Sequence, residues 1–389
     1  MPPRIGIALL AAVCLLSTAP FAAARSAAAP AACATTLWTS GTDGFRSYRI
    51  PAVVTVRGTL VAFAEARKNG SADNGDISVV ERRSTDGGCT WTPQRVVAAD
   101  GQETVGNPTP VVAADGTLVL LTNRQAGRFD LGQIEDGEVS AADGRRAFVQ
   151  ISADAGATWS ARREITASVK RPGWLWFATG PGHGLTLTRG RAAGRLVVAA
   201  NHSEPGRRSG VDLLLSDDDG RSWRIGASED YNDDLVKPSE ASAAQLPDGR
   251  IFLSARNNGG STGLNRVYAY SSTDGRGYDG LPRPLADLTG PSVEGSVLQD
   301  PGIPAGVSCA PLLYTGPQDP TARRHLALRR SDDGGLSWHP VTDLTSPTAP
   351  AAYSDLTKIT RTSLGVAYET GTSSPYERID WRTVPLTCP

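Results

Sequence analysis

An eight-residue segment with the pattern S-x-D-x-G-x-x-W recurs along the chain and constrains its fold more than any other feature. Successive copies begin about 60 residues apart, and one worn copy has Tyr in place of Trp. The copies are Ser84–Trp91, Ser152–Trp159, Ser216–Trp223, the worn Ser272–Tyr278 and Ser331–Trp338. Ser and Asp bond to nearby backbone and Gly accepts positive φ, so each copy, called a box below, predicts a tight turn. A site is normally needed once, so repetition favours a structural unit over a catalytic pair or a calcium loop.

Alternating apolar runs surround the boxes and predict an all-β chain. Each box follows such a run, and Asp-Gly pairs such as Asp115-Gly116 join others into hairpins. The rhythm predicts six units of four strands, which is typical of a six-bladed β-propeller. The sixth unit, from Ala352 onward, lacks its outermost strand, and we expect Thr35–Thr39 to supply it. Residues 130–146 read as an irregular polar insertion, and no amphipathic helix is predicted.

The N-terminus has the form of a secretory signal peptide. Arg4 precedes the apolar run from Ile5 to Leu16, and small residues around Ala22 follow. The run is shorter than the ~20 apolar residues that span a membrane. We therefore expect residues 1–32 to be a signal peptide with a short leader, residues 33–389 to form a single catalytic domain, and the protein to be secreted, without a membrane span and as a monomer.

The composition limits which ligands the chain can bind and which disulfides it can form. The 39 basic and 40 acidic side chains leave no basic field for nucleic acid. No cysteine pair has metal-site spacing, so neither a metal nor another cofactor is expected. Beyond the predicted signal, Cys33, Cys89, Cys309 and Cys388 allow three connectivities. Pairing of Thr35–Thr39 with the last strand would bring Cys33 near Cys388, which is the favoured disulfide.

Six polar residues interrupt the apolar rhythm where inner strands or their loops are expected. They are Arg49, Asp73, Glu240, Arg256, Arg323 and Tyr353. Taken singly, each has an ordinary explanation: a surface arginine, a turn aspartate, a local pair of Glu240 with Lys237, or a core tyrosine. Only their combination indicates a site.

With these residues the chain resembles the exo-α-sialidase (neuraminidase) family of secreted bacterial enzymes, six-bladed propellers that carry such boxes. The F/Y-R-I-P motif matches Tyr48–Pro51, and the R-x-x-x-x-x-D loop matches Arg67–Asp73. The G-P-G-H-G segment matches Gly180–Gly184. Glu240 precedes Arg256 by sixteen residues, as Tyr353 precedes Glu369. The third family arginine fits Arg323, and the matches run in one order through nearly the whole chain after the predicted signal.

The resemblance implies roles for these residues. Arg49, Arg256 and Arg323 would bind the carboxylate of sialic acid, and Glu369 would orient Arg49. Tyr353 would be the nucleophile, Glu240 its base and Asp73 the acid/base, with a pKa raised by burial; Asp76 is the rival acid. Arg67 and Asn107 would lie near the 4-hydroxyl and N-acetyl groups, although bacterial members commonly have Asp at the position of Asn107.

Other residues and activities stay open. His183 is expected to fix its loop, and Trp174 and Trp176 either line the aglycone side or pack in the core. The implied activity is retaining hydrolysis of terminal sialic acid from sialylated glycans. A trans-sialidase, an intramolecular trans-sialidase and a non-catalytic carbohydrate-binding propeller are the alternatives.

Overall fold

Antiparallel strands make up nearly all of the regular structure. A computed structural model describes Met1 and residues 33–259, 265–299 and 312–386. The predicted signal peptide beyond Met1, Cys309 and Cys388 therefore lie outside the described residues. Within the described ranges, no helix has the length and apolar character needed to cross a bilayer.

The strands form six units, as the box spacing predicts. The first three units are blade 1, with β2 (Ser47–Val56), β3 (Thr59–Arg67), β4 (Ile77–Ser84) and β5 (Arg95–Ala98), blade 2, with β6 (Thr104–Val112), β7 (Leu118–Gln125), β8 (Arg146–Ser152) and β9 (Arg163–Glu164), and blade 3, with β10 (Phe177–Thr179), β11 (Leu185–Thr186), β12 (Leu196–Glu204), β13 (Arg208–Ser216) and β14 (Arg224–Glu229). The last three are blade 4, with β15 (Pro238–Gln245), β16 (Ile251–Asn257), β17 (Asn265–Ser271) and β18 (Arg283–Thr289), blade 5, with β19 (Ser296–Gln299), β20 (Leu312–Pro317), β21 (Leu326–Ser331) and β22 (His339–Asp343), and blade 6, with β23 (Ala351–Thr360), β24 (Ser363–Thr370), β25 (Arg378–Pro385) and β1 (Ala34–Thr39). Blades 1 and 2 are joined by a single parallel bridge between Ile77 and Thr104.

Apolar side chains between neighbouring blades form the core, so the fold is a β-propeller.

The N-terminal strand completes the last blade. β1 pairs antiparallel with β25, so that Ala34 lies opposite Arg382. The prediction that Thr35–Thr39 supplies the missing strand is confirmed. The first and last strands are thereby held in one sheet, in which β1 is the outermost strand of the blade.

The disulfide prediction was wrong. Cys33 is bonded to Cys89, with their Cα atoms 5.0 Å apart. The backbone N–H of Thr383 on β25 donates to the Cys33 carbonyl. On the other side β1 runs along the first box, where the Thr35 hydroxyl donates to the Gly88 carbonyl at 3.1 Å. This contact places Cys89 of the box beside Cys33.

Each box ends the third strand of its blade, away from the inner strands. In the first box the Gly88 N–H donates to the Ser84 hydroxyl, which donates to Asp86 at 2.7 Å. Asp86 also accepts from the Thr90 hydroxyl and N–H, and these bonds lower the pKa of its carboxyl. A Cβ at Gly88, which has φ 90°, would overlap the Trp381 indole of blade 6. The box is therefore a structural turn that also packs blade against blade.

Ser84→Ala is expected to lower the free energy of unfolding by about 1–2 kcal/mol, because two buried hydrogen bonds of the box are lost. Urea unfolding measures the change. Ser272→Ala is the matched control: in the worn box this hydroxyl makes its bond to Asp274 but none to a glycine N–H that the structure describes. A large fall in turnover by well-folded Ser84→Ala would contradict a purely structural role.

The insertion predicted as irregular contains a short helix. α1 (Leu131–Glu135) begins at the N-cap Asp130, whose side chain accepts from the Gln133 N–H, while the Gln133 side chain accepts from the Asp130 N–H. This reciprocal capping stabilises five residues that are too few to show helical periodicity in the sequence. A second short helix, α2 (Thr166–Val169), buries Val169. Leu131 and Glu135 of α1 line the cleft described below.

Candidate active site

Arg49 is held on the inner strand of blade 1 by a buried carboxylate from blade 6. Its Nε donates to Glu369 Oε1 at 2.7 Å. Glu369 is fully buried and also accepts from the N–H groups of Ile50 at 2.8 Å and Tyr353 at 3.2 Å. Burial lowers the pKa of Arg49, but the charge and hydrogen bond of Glu369 together with Tyr353 and Tyr376 outweigh it and raise the pKa above its ordinary value. One carboxylate therefore positions both the predicted substrate arginine and the backbone of the predicted nucleophile.

Tyr353, Glu240 and Arg256 form a connected cluster. The Tyr353 hydroxyl lies 2.8 Å from both carboxylate oxygens of Glu240. Arg256 Nη1 donates to Glu240 Oε2 at 2.9 Å and to the Tyr353 hydroxyl at 3.2 Å. These side chains come from β23, β15 and β16, so blades 4 and 6 meet here. A phenol in contact with a carboxylate has the arrangement of a nucleophile and its base.

The Tyr353 phenol is kept neutral by its surroundings. Burial raises its pKa well above the ordinary value, the negative charge of Glu240 raises it further, and Arg256, Arg323 and Arg49 only partly oppose this. A neutral phenol next to a base is unreactive until its proton moves to that base. Glu240, in contact with the hydroxyl, is the group that could take this proton.

Arg323 lies in the loop between β20 and β21. Its Nη1 donates to the Tyr376 hydroxyl at 2.7 Å and its Nη2 to the Ser292 carbonyl at 3.0 Å. Its guanidinium carbon lies 5.7 Å from the centre of the Tyr353 ring, and that of Arg49 lies 5.3 Å from the same ring. The three predicted carboxylate-binding arginines therefore all contact Tyr353.

Asp73 lies in the loop between β3 and β4. Its side chain is 74% exposed and lies 2.8 Å from Arg67 Nη1 and 3.9 Å from Arg49 Nη1. Desolvation raises the pKa of Asp73, but the charges of Arg67 and Arg49 outweigh it and hold the pKa below its ordinary value. The expectation of a raised pKa was wrong for the ligand-free chain, because the loop leaves the carboxyl in solvent beside two cations.

Glu65 is a second buried carboxylate. It accepts hydrogen bonds from the Arg67 side chain and the Asn107 backbone, just as Glu369 accepts from the Arg49 side chain and the Tyr353 backbone. Arg67 donates to Glu65 Oε2 through Nε at 3.0 Å and Nη2 at 2.6 Å. The Asn107 N–H donates to Glu65 Oε1 at 2.7 Å. A Cβ at Gly106 would overlap this carboxylate, so glycine is required there for close approach.

Two non-glycine residues with positive φ lie at these carboxylates. Ile50 has φ 58° and Asn107 has φ 52°, each at a register shift in an inner strand. Positive φ is costly for a β-branched residue such as Ile50. In both cases the residue's N–H donates to a buried glutamate. The strained bulges are thus held by the two carboxylates, and Ile50 and Asn107 both line the cleft described next.

An open cleft of about 1020 Å³ brings most of these groups together. Its walls include Arg67, Asp73, Asn107, Glu240, Arg256 and Tyr353. Several cations, a solvent-exposed carboxyl and a neutral phenol paired with a base suit an anionic substrate that undergoes nucleophilic substitution.

Comparison with known proteins decides the family. The model of the BNR repeat-like domain matches residues 58–366. A sialidase of Micromonospora viridifaciens is 33% identical over 352 residues, covering 87% of this chain and 52% of that protein. An exo-alpha-sialidase of Aspergillus fumigatus is 33% identical over 311 residues, covering 75% of this chain and 69% of that protein. The chain belongs to the sialidase family. It spans about half the length of the Micromonospora relative.

A solved structure supports the same architecture. The Hadza microbial sialidase Hz136 superimposes with a TM-score of 0.77 at 26% sequence identity, covering 91% of this chain and 68% of that one. The two chains therefore share the propeller fold although their sequence identity is modest.

Further residues named in the sequence analysis fall into two groups. Asp73, rather than its rival Asp76, lines the cleft, and so does Trp176. Trp174 instead packs in the core, 3.8 Å from the His202 ring. His183 Nδ1 lies 2.7 Å from Asp355, which also accepts from the Val53 N–H of blade 1 and the Ser296 hydroxyl of blade 5. His183 thus contacts a residue that links inner strands of several blades, in keeping with the expected loop-fixing role.

Sequence reasoning missed Arg145, a buried cation that lines the cleft. Its Nη2 donates to Asn107 Oδ1 at 2.5 Å, and its guanidinium lies 4.1 Å from the centre of the Trp176 ring. Burial lowers the pKa of Arg145 to about 10, although Glu65, Asp73 and Glu240 oppose the shift. Arg145 lies near the end of the polar insertion, where the sequence suggested a surface position. The same reasoning missed Glu65, whose signal was a carboxylate inside the apolar run of β3, and Tyr376.

Proposed function

We propose that this chain is a retaining exo-α-sialidase that removes terminal sialic acid from glycans. The observation that carries the proposal is the Tyr353 hydroxyl at 2.8 Å from both oxygens of Glu240, with Arg49, Arg256 and Arg323 around its ring. A substrate carboxylate bound by these arginines would repel an anionic nucleophile at the adjacent carbon. A neutral phenol avoids that repulsion, and a tyrosine nucleophile is the known exception among retaining glycosidases.

The proposed first step forms a covalent intermediate. The phenol oxygen of Tyr353 attacks the anomeric carbon while Glu240 takes the phenol proton. The bond to the leaving oxygen breaks as Asp73 donates a proton to it. In the second step Asp73 takes a proton from water, whose oxygen attacks the same carbon. The bond between that carbon and the Tyr353 oxygen breaks, and Glu240 returns its proton to the departing phenol oxygen. Two displacements on one carbon retain its configuration.

Asp73 has to gain a proton before it can act as the acid. In the free chain, Arg67 and Arg49 keep the pKa of Asp73 below its ordinary value despite desolvation. A bound substrate carboxylate would neutralise part of this positive charge, and the aglycone would cover the exposed carboxyl. Both changes raise the pKa of a carboxyl. Substrate binding is therefore expected to be coupled to proton uptake at Asp73.

Incubation with a fluorogenic aryl sialoside tests the function. We expect release of the fluorophore, and NMR spectra taken before mutarotation should show the α-anomer of free sialic acid. Absence of release by folded wild-type chain would contradict the enzyme and leave a carbohydrate-binding propeller. An anhydro sugar as the product would instead indicate intramolecular transfer, and a new sialoside formed from added lactose would indicate a trans-sialidase.

Asp73→Ala should lower kcat/KM by about 10²–10⁴-fold for a natural sialoside, whose leaving group needs the acid. For an aryl sialoside with an acidic leaving group the fall should be much smaller. Comparing the two substrates measures the difference, with Asp76→Ala as the matched control from the same loop. Equal losses on both substrates would argue against Asp73 as the acid.

A further inference from the structure

Tyr376 contacts two of the three arginines that surround Tyr353. The guanidinium of Arg49 lies 3.9 Å from the centre of the Tyr376 ring. The Tyr376 hydroxyl accepts from Arg323 Nη1 at 2.7 Å. A single half-buried side chain thus holds one cation through its ring face and another through its oxygen, which are separate interactions.

The three arginines differ in the charge of their partners. Arg49 is paired with Glu369 and Arg256 with Glu240. Among the residues that the structure describes, no carboxylate lies within ion-pair distance of Arg323, and the two groups to which it donates, the Tyr376 hydroxyl and the Ser292 carbonyl, are neutral. Neutral acceptors fix the direction of a guanidinium without cancelling its charge. The full charge of Arg323 therefore stays available to an anionic ligand.

The loop that carries Tyr376 is built to hold it. Glu377 accepts from the N–H groups of Thr372, Ser373 and Ser374 at 2.7, 2.9 and 2.9 Å. These backbone bonds, together with one from the Ser373 hydroxyl, lower the pKa of Glu377 to about 2. The loop is a closed turn around one carboxylate, which restricts the position of the neighbouring Tyr376.

The N-terminal strand β1, called the closing strand because it completes blade 6, anchors the same loop. The Ser40 hydroxyl donates to the Tyr376 carbonyl at 2.7 Å, and the Ser40 N–H donates to the Glu377 carbonyl at 2.9 Å. Ser40 directly follows β1. The loop is thus bonded to the residue that follows the N-terminal strand before any ligand arrives.

We propose that Tyr376 is a positioning residue that presets Arg49 and Arg323 for the substrate carboxylate, a role that rests on the proposed sialidase function. Its hydroxyl orients Arg323, its ring orients Arg49, and the Glu377 turn and Ser40 keep both in place. Preset donors lose less freedom on binding than flexible ones, so the benefit falls on affinity. An interaction made equally in the ground and transition states changes KM more than kcat.

Kinetics with an aryl sialoside and calorimetry with the 2,3-dehydrated analogue of sialic acid test the proposal. Tyr376→Phe keeps the ring on Arg49 but loses the bond to Arg323, and we expect KM and the analogue Kd to rise about tenfold together, with kcat within about threefold. Tyr376→Leu also loses the ring, so KM and the analogue Kd should each rise a further few-fold. The control Tyr270→Phe loses a hydroxyl bond to the Gly334 carbonyl away from the cleft and should leave KM unchanged.

A double-mutant cycle separates orientation of Arg323 from general loosening of the loop. In an Arg323→Ala background, Tyr376→Phe should change the analogue Kd less than about twofold, since its partner is already absent. An unchanged KM and Kd in Tyr376→Phe, or an equal loss in the Arg323→Ala background, would overturn the inference while wild-type turnover stands. If wild type neither cleaves the sialoside nor binds the analogue, the proposed function fails and this inference fails with it.

Discussion

Replacing Tyr353 with phenylalanine is expected to lower kcat for an aryl sialoside by at least about 10³-fold, because the attacking oxygen is removed. The ring stays, so its contacts with Arg49 and Arg323 and its packing against Ile50 and Val293 are kept. The analogue Kd should therefore change little. Steady-state kinetics and calorimetry on the same preparation measure both quantities.

A buried tyrosine of the same blade provides the control for this experiment. Tyr368 lies on β24 and packs with Leu313 and Leu356 between blades. Tyr368→Phe should leave kcat close to the wild-type value. Near wild-type turnover by Tyr353→Phe would contradict the nucleophile assignment, and the Glu240–Tyr353 pair would then be a structural contact of the cleft wall.

Glu369→Ala is expected to lower the free energy of unfolding by about 3–5 kcal/mol, because it leaves a buried charge unpaired. Arg49 is 4% exposed and would lose its only carboxylate at hydrogen-bonding distance in the described structure. The N–H groups of Ile50 and Tyr353 would lose their acceptor as well. Urea unfolding gives the stability, and KM should rise in whatever protein stays folded, since Arg49 is no longer oriented.

A surface glutamate gives the comparison. Glu164 pairs with Arg146 at 3.3 Å and its side chain is 41% exposed. Glu164→Ala should cost less than about 1 kcal/mol, as exposed ion pairs usually do. If both substitutions cost the same, Glu369 would not be the buried anchor of the inner strands that its contacts indicate.

Local sequence signals predicted the architecture because each blade is built from short-range hairpins. The boxes mark the third strands, and counting from them located the missing strand of blade 6 and the pairing of Thr35–Thr39 with β25. The disulfide required knowing which turn packs beside Cys33, and that depends on how blade 1 meets blade 6. Such contacts between blades leave no periodic pattern in the chain.

The site was predictable where residues sit at motif spacing on inner strands and was missed where loops deliver them. Arg49, Glu240, Arg256 and Tyr353 interrupt apolar strands, which made them visible. Arg145 and Tyr376 lie in irregular loops, so only the folded chain brings Arg145 to the cleft and Tyr376 to Arg49. The direction of the Asp73 pKa shift depends on two arginines from different strands and on its exposure, which spacing alone does not specify.

The closing strand has a consequence for the order in which the chain can fold. β1 is synthesised first and its partner β25 last, so the Ala34–Arg382 pairing cannot form on a ribosome until almost the whole propeller has emerged. Blades 2 to 5 close from neighbouring residues and can form earlier, while ring closure is the most non-local contact and is expected to be slow. Until then Ser40 cannot anchor the Tyr376 loop. Competence to bind a carboxylate should therefore be the last property that a newly made chain acquires.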